Sequence, residues 1–357
     1  MPSVTHDTFQ RSHPRRPRLE STVTLAHGSG GRAMHDLIDS IFVARFQQAP
    51  VPLEDQARIP LGALNILGDR LAFTTDSYVV DPLFFPGSNI GELAVNGTVN
   101  DLCVSGAIPL YLTCSVILEE GLSTDLLAQI VDHMAIAAVQ ARVQIVTGDT
   151  KVVPRGSVDK IFINTAGVGV MRTGINPCAT ALQPGDRILI NGAIGNHGAA
   201  ILVARGELAL DTDIQSDCQP LNSLVDAIVS VCPDVRAMRD ATRGGLATVL
   251  NEFATASQVS IQLQEEAIPV DEPVAGLCEL LGLDPLYLAN EGKIVVVVPA
   301  HRVDETLAVM RSHPAGQESC CIGQVGDRFP GLVSLQTAFG TERVVDVLVG
   351  DQLPRIC

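Results

Sequence analysis

Apolar residues recur along the chain with two spacings, the two-residue period of β-strands and the 3.6-residue period of helices. Runs of the two kinds alternate after about residue 20, which predicts an α/β or α+β protein. The expected strands are Leu71–Val80, Leu110–Leu118, Val143–Val153, Lys160–Met171, Arg187–Asn191, Ser260–Leu263, Lys293–Val298 and Leu332–Leu335. The expected helices are Ile90–Cys103, Thr124–Arg142, Asn196–Arg205, Leu221–Val231, Leu246–Ala256 and Val303–Arg311.

The pattern divides the chain into two α/β halves. The segment Arg172–Gly185 between them is rich in Gly and Pro, which predicts a linker. We therefore expect an N-terminal domain at residues 22–172 and a C-terminal domain at residues 183–339. Residues 1–21 are expected to form a disordered basic arm, and residues 340–357 a mobile tail.

Charge and composition exclude several classes of function. The 357 residues include 24 Lys and Arg against 40 Asp and Glu, a formal net charge of −16. This charge disfavours nonspecific attraction to nucleic acid or to an anionic bilayer, and a nucleotide-binding protein of this sign needs a cation. Aromatic residues make up only 4% of the chain, which argues against platforms that stack bases. No apolar run approaches the length of a membrane span.

The cysteines and the first residues bear on the cellular compartment. The nine cysteines are odd in number and include no C-x-x-C pair, which argues against a zinc ribbon or a disulfide framework. The basic N-terminal stretch lacks the apolar segment of a secretory signal. Both observations favour the cytoplasm, where thiols stay reduced.

A Gly-rich stretch, HGSGG at residues 27–31, lies just before a helical pattern. Gly28, Gly30 and Gly31 would let backbone N–H groups approach a phosphate at the start of that helix. The spacing matches neither a P-loop nor a Rossmann motif, so a plain turn explains the stretch equally well.

Three aspartates of the first half, Asp76, Asp101 and Asp149, follow apolar runs at positions expected to be strand ends and turns. Because an unpaired desolvated carboxylate is unfavourable, three of them predict a shared partner, and Mg²⁺ bridging phosphate oxygens is the natural one. Lys151 lies on the same strand face as Asp149 and could neutralise phosphate charge. Taken singly, each aspartate could instead cap a turn or a helix, and the lysine could be an ordinary surface residue.

Two groups of residues in the second half are candidates as well. Asp240, Thr242 and Arg243 precede a helix, which Thr242 could cap, and Arg243 could present donors to an anion. A capped turn without a ligand is an equally good interpretation. Glu291 lies just before an apolar strand and is a candidate general base, although an exposed carboxylate is the default expectation there.

The sequence ends at PRIC, with Cys357 as its last residue. A prenylation motif places its cysteine fourth from the end, so this is not such a motif. A tail could carry a terminal thiol between two active sites. On chemistry alone, an accidental terminal cysteine is the alternative.

These stretches together resemble the hydrogenase maturation factors of the HypE family, within the superfamily of aminoimidazole ribonucleotide synthetase and selenophosphate synthetase. The resemblance covers roughly residues 22–357 and rests on HGSGG, TTDSYVVDPLFFPG, IGELAVNGTVNDL, IVTGDTKVV, RDATRGGLATVLNE, YLANEGK and PRIC. It implies a two-domain PurM-like fold. N-terminal strands would form a barrel in a homodimer, a C-terminal α/β domain would fold over the nucleotide, and the tail would be flexible.

The resemblance also implies a reaction and partners. The carbamoyltransferase HypF would place a carbamoyl group on Cys357. ATP with Mg²⁺ would then drive dehydration of the S-carboxamide to an S-cyanide, which passes to iron on the HypC–HypD complex as a ligand of the [NiFe] centre. By this resemblance, Cys357 would be the carrier thiol, Glu291 would be the base, and Lys151 would compensate charge on the transferred phosphoryl group. The residues that would position Mg²⁺ and the ATP phosphates are Asp76, Asp101 and Asp149. The residues that would line the opposite wall of the ATP site are Asp240, Thr242 and Arg243.

Two alternatives stay open at this point. Another PurM-like ATP-dependent enzyme, of the amidine cyclase or selenophosphate synthetase type, would act on a different oxygen and would not need a terminal thiol. A non-catalytic assembly scaffold would have no reason to keep this set of charged residues.

Overall fold

The computed structural model describes residues 19–47, 53–206 and 212–348. Most of the predicted basic arm and the last nine residues, including Cys357, lie outside the described residues. In the described part of the chain, no helix is long and apolar enough to cross a membrane.

The N-terminal domain combines short turns with two long helices and four long strands. Its helices are α1 (Arg32–Leu37), α2 (Ala44–Phe46), α3 (Leu61–Leu64), α4 (Ile90–Val104) and α5 (Thr124–Gln140). Its strands are β1 (Arg70–Tyr78), β2 (Phe84–Phe85), β3 (Ser88–Asn89), β4 (Ala107–Glu119), β5 (Gln144–Val153) and β6 (Ile161–Met171).

The four long strands form one sheet in the order β1-β6-β4-β5. Helix α5 connects β4 to β5, and these two strands pair in parallel, as a crossover through a helix requires. Helices α4 and α5 cover one face of the sheet, and their apolar side chains form the core there. No element of the described residues covers the other face, so that Phe73 on β1 is 70% exposed.

The C-terminal domain is built around a seven-stranded sheet in the order β13-β12-β9-β11-β7-β10-β8. Its strands are β7 (Arg187–Ile190), β8 (Ala237–Asp240), β9 (Ser260–Gln264), β10 (Ile294–Val298), β11 (Cys320–Gly326), β12 (Val333–Gln336) and β13 (Glu342–Val344). Its helices are α6 (Asn196–Ala204), α7 (Asn222–Val231), α8 (Gly245–Ser257), α9 (Glu272–Leu281) and α10 (Val303–Ser312). Helix α8 packs on one face of this sheet, and α7 and α10 pack on the other.

Helix α4 joins the two domains. The side-chain oxygen of Asn89 accepts hydrogen bonds from the first-turn N–H groups of Gly91 and Glu92, which fixes where the helix begins. Thirteen of its fifteen residues are buried. Its first turns pack in the core of the N-terminal domain, and its last turn, with Cys103 and Val104, packs into the core of the C-terminal domain. The helix therefore carries its polar residues into the interface between the domains.

The predicted elements agree with the structure where the local pattern is strong. The helix expected at Thr124–Arg142 is α5, and Ser123 caps it by accepting a hydrogen bond from the N–H of Leu126 at 3.3 Å. The sequence pattern did not indicate β2, β3, α3, β8, α9 or β11.

Candidate active site between the two domains

A cavity of about 220 Å³ lies where the two domains meet. The N-terminal domain contributes β1 and α4 to its wall, and the C-terminal domain contributes the end of β8, the turn before α8 and the loop before β10. The lining residues are Thr75, Asp76, Gly97, Asp101, Asp240, Thr242, Arg243 and Glu291.

Two aspartates come from the N-terminal side. Asp76 lies on β1, on the same strand face as Thr74, whose hydroxyl donates a 2.9 Å hydrogen bond to Oδ2 of Asp101. Asp101 belongs to the last part of helix α4, which matches the helix expected at Ile90–Cys103. The other expectation for this residue, a strand end or a turn, was wrong. Burial raises the pKa of Asp101, and the bond from Thr74 partly offsets that effect.

The C-terminal wall begins with Asp240, the last residue of β8. Burial raises the pKa of Asp240 to about 7, and the charge of Asp101 acts in the same direction. Helix α8 starts only at Gly245, with Gly244 at its N-cap in a left-handed conformation (φ +68°). Thr242 therefore does not cap this helix, contrary to expectation, and its carbonyl instead accepts a 2.9 Å bond from the N–H of Gly245.

Glu291 is buried, with only 4% of its surface exposed, so the default expectation of an exposed carboxylate was wrong. Asp217 holds the loop, because its two carboxylate oxygens accept hydrogen bonds from the N–H groups of Glu291 and Gly292, both at 3.1 Å. Lys293 lies 3.3 Å from Asp217 and balances its charge. Burial, and after it the charges of Asp240 and Asp217, raise the pKa of Glu291 well above its usual value. A carboxyl group in this setting takes up a proton readily.

Asn100 on α4 ties the Glu291 loop to the N-terminal domain. Its side-chain amide donates to the carbonyl oxygens of Glu291 at 3.2 Å and Gln219 at 3.1 Å, and its Oδ1 accepts from the N–H of Leu221 at 2.8 Å. Sequence reasoning missed both Asn100 and Asp217 as site residues. Asp217 lies in an irregular segment that no pattern marks, whereas the position of Asn100 next to Asp101 was a usable signal.

Two glycines are required at the pocket by close approach. A Cβ atom on Gly97 would lie 2.4 Å from the hydroxyl oxygen of Tyr78, and one on Gly292 would lie 1.9 Å from the carbonyl oxygen of Asp217. Tyr78 is itself fixed by a 3.1 Å hydrogen bond to the hydroxyl of Thr98. The backbone can therefore approach these neighbouring atoms only because both positions are glycine.

Asp149 and Lys151 lie away from this pocket. Both are on β5, at the opposite edge of the sheet from β1, about 14 Å away if adjacent strands are ~4.8 Å apart. Thr150 between them is buried, so they point to the face of the sheet away from α4. The Nζ of Lys151 lies 3.4 Å from Oδ2 of Asp149, and both side chains are more than half exposed. One copy of the chain does not bring them to the pocket.

The Gly-rich stretch lies beside β5 as well. A Cβ atom on Gly28 would lie 3.0 Å from Cβ of Val152, so this glycine packs closely against the strand. Gly30 and Gly31 are exposed, and α1 begins immediately after them. The predicted site residues thus form two sets. The pocket group is Asp76, Asp101, Asp240, Thr242, Arg243 and Glu291, and the β5 group is Gly28, Gly30, Gly31, Asp149 and Lys151.

The pocket group fits a magnesium ion that arrives with a nucleotide. Among residues 19–47, 53–206 and 212–348, no three His, Cys, Asp or Glu side chains converge closely enough to hold a metal ion by themselves. The carboxylate oxygens of the pocket group are nevertheless the hard donors that Mg²⁺ prefers. Proteins usually bind this ion through one or two carboxylates together with substrate phosphates.

Comparison with known families agrees with this two-domain architecture. The N-terminal domain of AIR synthase related proteins matches residues 56–171, and the C-terminal domain of the same proteins matches residues 183–333. The carbamoyl dehydratase HypE of Rhodobacter capsulatus is 53% identical over 338 residues, which cover 95% of this chain and 99% of that protein. The carbamoyl dehydratase HypE of Escherichia coli K12 is 50% identical over 338 residues, which cover 94% of this chain and all of that protein.

Solved structures give the same result. The crystal structure of E. coli HypE, a hydrogenase maturation protein, superposes with a TM-score of 0.86 at 49% identity and covers 91% of this chain and 100% of that chain. A HypE structure in complex with ATP superposes with a TM-score of 0.88 at 48% identity and covers 94% of this chain and 99% of that chain. With this extent of identity and coverage, the chain belongs to the HypE family of ATP-dependent carbamoyl dehydratases of hydrogenase maturation, which have the PurM-like fold of AIR synthase related proteins.

Proposed function

We propose that this chain uses ATP and Mg²⁺ to dehydrate a carbamoyl group on its own Cys357 to an S-cyanide, and that Glu291 is the base. The burial of Glu291 among the pocket aspartates is the observation that carries this proposal. Relatives about 50% identical are named carbamoyl dehydratases, and one neighbouring structure is a complex with ATP.

The reaction balances in two steps. In the first, the amide oxygen of the S-carboxamide attacks the γ-phosphorus, ADP leaves, and the nitrogen loses one proton, which gives a phosphorylated imidate. In the second, the carbon–oxygen bond breaks, phosphate leaves, and the nitrogen loses its second proton, which gives the S-cyanide. Phosphorylation is needed because an amide oxygen is a poor leaving group. Glu291 accepts a proton from nitrogen in this scheme.

The pocket group binds the nucleotide in this proposal. Asp76 and Asp101 hold Mg²⁺, which neutralises charge on the phosphate oxygens when it is bound. Asp240, Thr242 and Arg243 form the opposite wall, where Arg243 donates to phosphate oxygens. The β5 group completes the site: Asp149 as a further Mg²⁺ ligand, Lys151 as compensation for charge on the transferred phosphoryl group, and Gly28, Gly30 and Gly31 as a phosphate-binding loop.

A homodimer would bring the two groups together. The uncovered face of the N-terminal sheet carries Leu71, Phe73 and Ile117, which are 45%, 70% and 39% exposed. Strands β1 and β5 are the two edges of that sheet in the described chain. If two sheets close into a barrel with β5 of one copy beside β1 of the other, the apolar face becomes covered and the strand that carries Asp149 and Lys151 lies next to the partner's strand that carries Asp76.

Partners and compartment follow from the same reaction. HypF is the proposed donor of the carbamoyl group, and one structure similar to this chain is a HypE–HypF complex, with a TM-score of 0.76 and 49% identity over 78% of this chain and 90% of that chain. The HypC–HypD complex is the proposed acceptor of the cyanide. The cytoplasm is the proposed compartment, because all eight described cysteines are free thiols.

Intact-mass analysis of the carbamoylated chain tests the proposal. With Mg-ATP, the C-terminal peptide is expected to lose the mass of one water. Cys357→Ala should remove the modification and keep ATP binding. Unchanged mass while ATP is consumed would contradict the dehydratase assignment.

A further inference from the structure

Asn290 directly precedes the pocket residue Glu291, and it is fully buried. Both ends of its side-chain amide bind backbone groups. Its Oδ1 accepts a hydrogen bond from the N–H of Gly195 at 2.7 Å, and its Nδ2 donates to the carbonyl oxygens of Ala241 at 2.9 Å and Leu288 at 3.0 Å. The side chain therefore joins the loop before β10 to the start of α6 and to the end of β8.

The contact with Ala241 links two parts of the pocket wall. Ala241 is buried and follows Asp240, the last residue of β8. Its carbonyl oxygen accepts a second hydrogen bond, from the backbone N–H of Asn290 at 3.0 Å, and its own N–H donates to the carbonyl oxygen of Lys293 at 3.0 Å. The segment of Asp240 is thus joined to the loop on both sides of Glu291.

This link acts against electrostatic repulsion. Asp240 and Glu291 line the same cavity, each from one of the two joined segments. After burial, the charge of Asp240 is the main cause that raises the pKa of Glu291, and two ionised carboxyl groups favour separation of the segments that carry them. The amide of Asn290 opposes this separation without adding a charge of its own.

An asparagine suits this position because one planar amide offers an acceptor and donors together. Alanine would take away the side-chain partners of the Gly195 N–H and of the Leu288 carbonyl oxygen. Buried polar groups that lose their partners are unfavourable, so the loop is expected to shift until these groups pair again. Such a shift moves Glu291, because it is the next residue of the chain.

We propose that Asn290 is a positioning residue, which fixes the backbone of Glu291 against the segment of Asp240 and so keeps the carboxyl group of Glu291 in place for proton transfer. This inference rests on the proposed function, because it takes Glu291 as the base. Asn290 touches none of the reacting atoms in this scheme and acts only through its neighbour. Asn100 and Asp217 hold the same loop from other segments, whereas Asn290 sets its position relative to the end of β8.

A single-turnover experiment on full-length, carbamoylated protein tests the inference. Asn290→Ala is mixed with saturating Mg-ATP, and loss of one water from the C-terminal peptide is followed by mass spectrometry. We expect the rate to fall about 10- to 100-fold, because a misplacement of about 1 Å can have an effect of this size. The dissociation constant for ATP, measured by calorimetry, should stay unchanged, because β8 and α8 still support the nucleotide-binding wall.

A milder variant keeps the test usable if Asn290→Ala folds poorly. The hydroxyl of Asn290→Ser is shorter than the amide and cannot pair with all three backbone groups at once. We expect its rate to lie between those of the wild type and the alanine variant.

Ser257, the last residue of α8, provides the matched control. Its hydroxyl donates to the carbonyl oxygen of Ala179 at 2.6 Å and accepts from the N–H of Leu182 at 3.1 Å, so it also joins backbone segments of the C-terminal domain. Helix α8 begins at Gly245 beside the pocket, and Ser257 lies about 18 Å farther along it at 1.5 Å per residue. Ser257→Ala should lower the melting temperature, as Asn290→Ala does, and leave the rate unchanged.

The outcomes separate the two levels of the proposal. A folded Asn290 variant that reacts at the wild-type rate overturns the positioning role. A loss of ATP affinity by the same factor as the rate also overturns it, because it would indicate a distorted nucleotide-binding wall. An equal loss of rate in Ser257→Ala would do the same, since it would indicate general destabilisation. Wild-type protein that loses no water with ATP would instead remove the proposed function, and this inference with it.

Discussion

The pocket group and the β5 group contain the same kinds of residues in opposite surroundings. Asp240 and Glu291 are buried at the interface of two domains, where burial raises their pKa values. Asp149 and Lys151 stand on an open strand face, more than half exposed. The chain therefore builds one half of the proposed site under strong constraint and leaves the other half accessible.

The two groups differ in how strongly the fold holds them in place. Packing carboxyl groups together without a cation is unfavourable in free energy. At the pocket this arrangement is maintained because Asn100 and Asp217 fix the loop that carries Glu291. No comparable constraint acts on β5 within the described chain. The β5 group needs no preorganisation within one chain if a second copy supplies its surroundings.

The largest effect is expected for Glu291→Gln. The amide keeps the shape of the side chain but cannot accept the proton from nitrogen, so dehydration should fall by about 10²- to 10⁴-fold while ATP still binds. The measurement is the single-turnover rate of water loss, together with ATP binding by calorimetry. Glu279→Gln, at an exposed position of the same domain, is the matched control. Normal turnover in Glu291→Gln would show that another group is the base.

Mixing two inactive variants tests whether the two groups meet across a dimer. Lys151→Ala and Glu291→Gln each disable one half of the site. In a mixed dimer, one of the two composite sites keeps both residues, so the random mixture should recover about a quarter of the wild-type activity. The measurement is activity before and after subunit exchange.

The same mixture also tests the competing arrangement, in which each chain forms a complete site without its partner. If each chain contained a complete site by itself, no mixed dimer would hold a working one. Activity that stays at the level of the single variants would therefore place the β5 group outside the partner's site, and the comparison between the two groups would need another explanation.

The pH dependence of stability should reveal the burial of Asp240 in protein freed of metal and nucleotide. The pKa of Asp240 is raised from 3.8 to about 7 in the fold, so its stabilising contribution is present below pH ~4 and is lost as the pH rises to about 7. The loss is at most about 4 kcal/mol. Asp240→Asn should flatten this part of the profile. Denaturant unfolding at several pH values provides the measurement, and an Asp240→Asn profile identical to that of the wild type would contradict the burial argument.

A smaller effect is expected for Gly292→Ala. The added Cβ would collide with the carbonyl oxygen of Asp217, so we expect a loss of about 1–3 kcal/mol in the free energy of unfolding. Gly276→Ala on α9 is the control, because a Cβ atom added there would meet nothing within 4 Å and alanine favours a helix. Thermal unfolding compares the two. A variant Gly292→Ala as stable as the wild type would show that the Glu291 loop is loosely held.

The sequence by itself determined most of the elements and the types of residue that carry the chemistry. The helix after Ser123 follows from a cap and an apolar stripe, which are local features. The pairs Asp149 with Lys151 on one strand face and Asn290 with Glu291 before an apolar strand are also local. Such features need only neighbours within a few residues, so a pattern can reveal them.

Only the tertiary structure decided which of these residues share a site. The bond from Asn100 to the carbonyl oxygen of Glu291 joins residues 191 positions apart, and the bond from Glu291 to Asp217 spans 74 positions. The burial of Glu291 depends on these distant contacts, as does the division of the candidate residues into a pocket group and a β5 group. Local periodicity contains no information about which strand edge or loop will close over a residue, because that is set by packing between elements far apart in the chain.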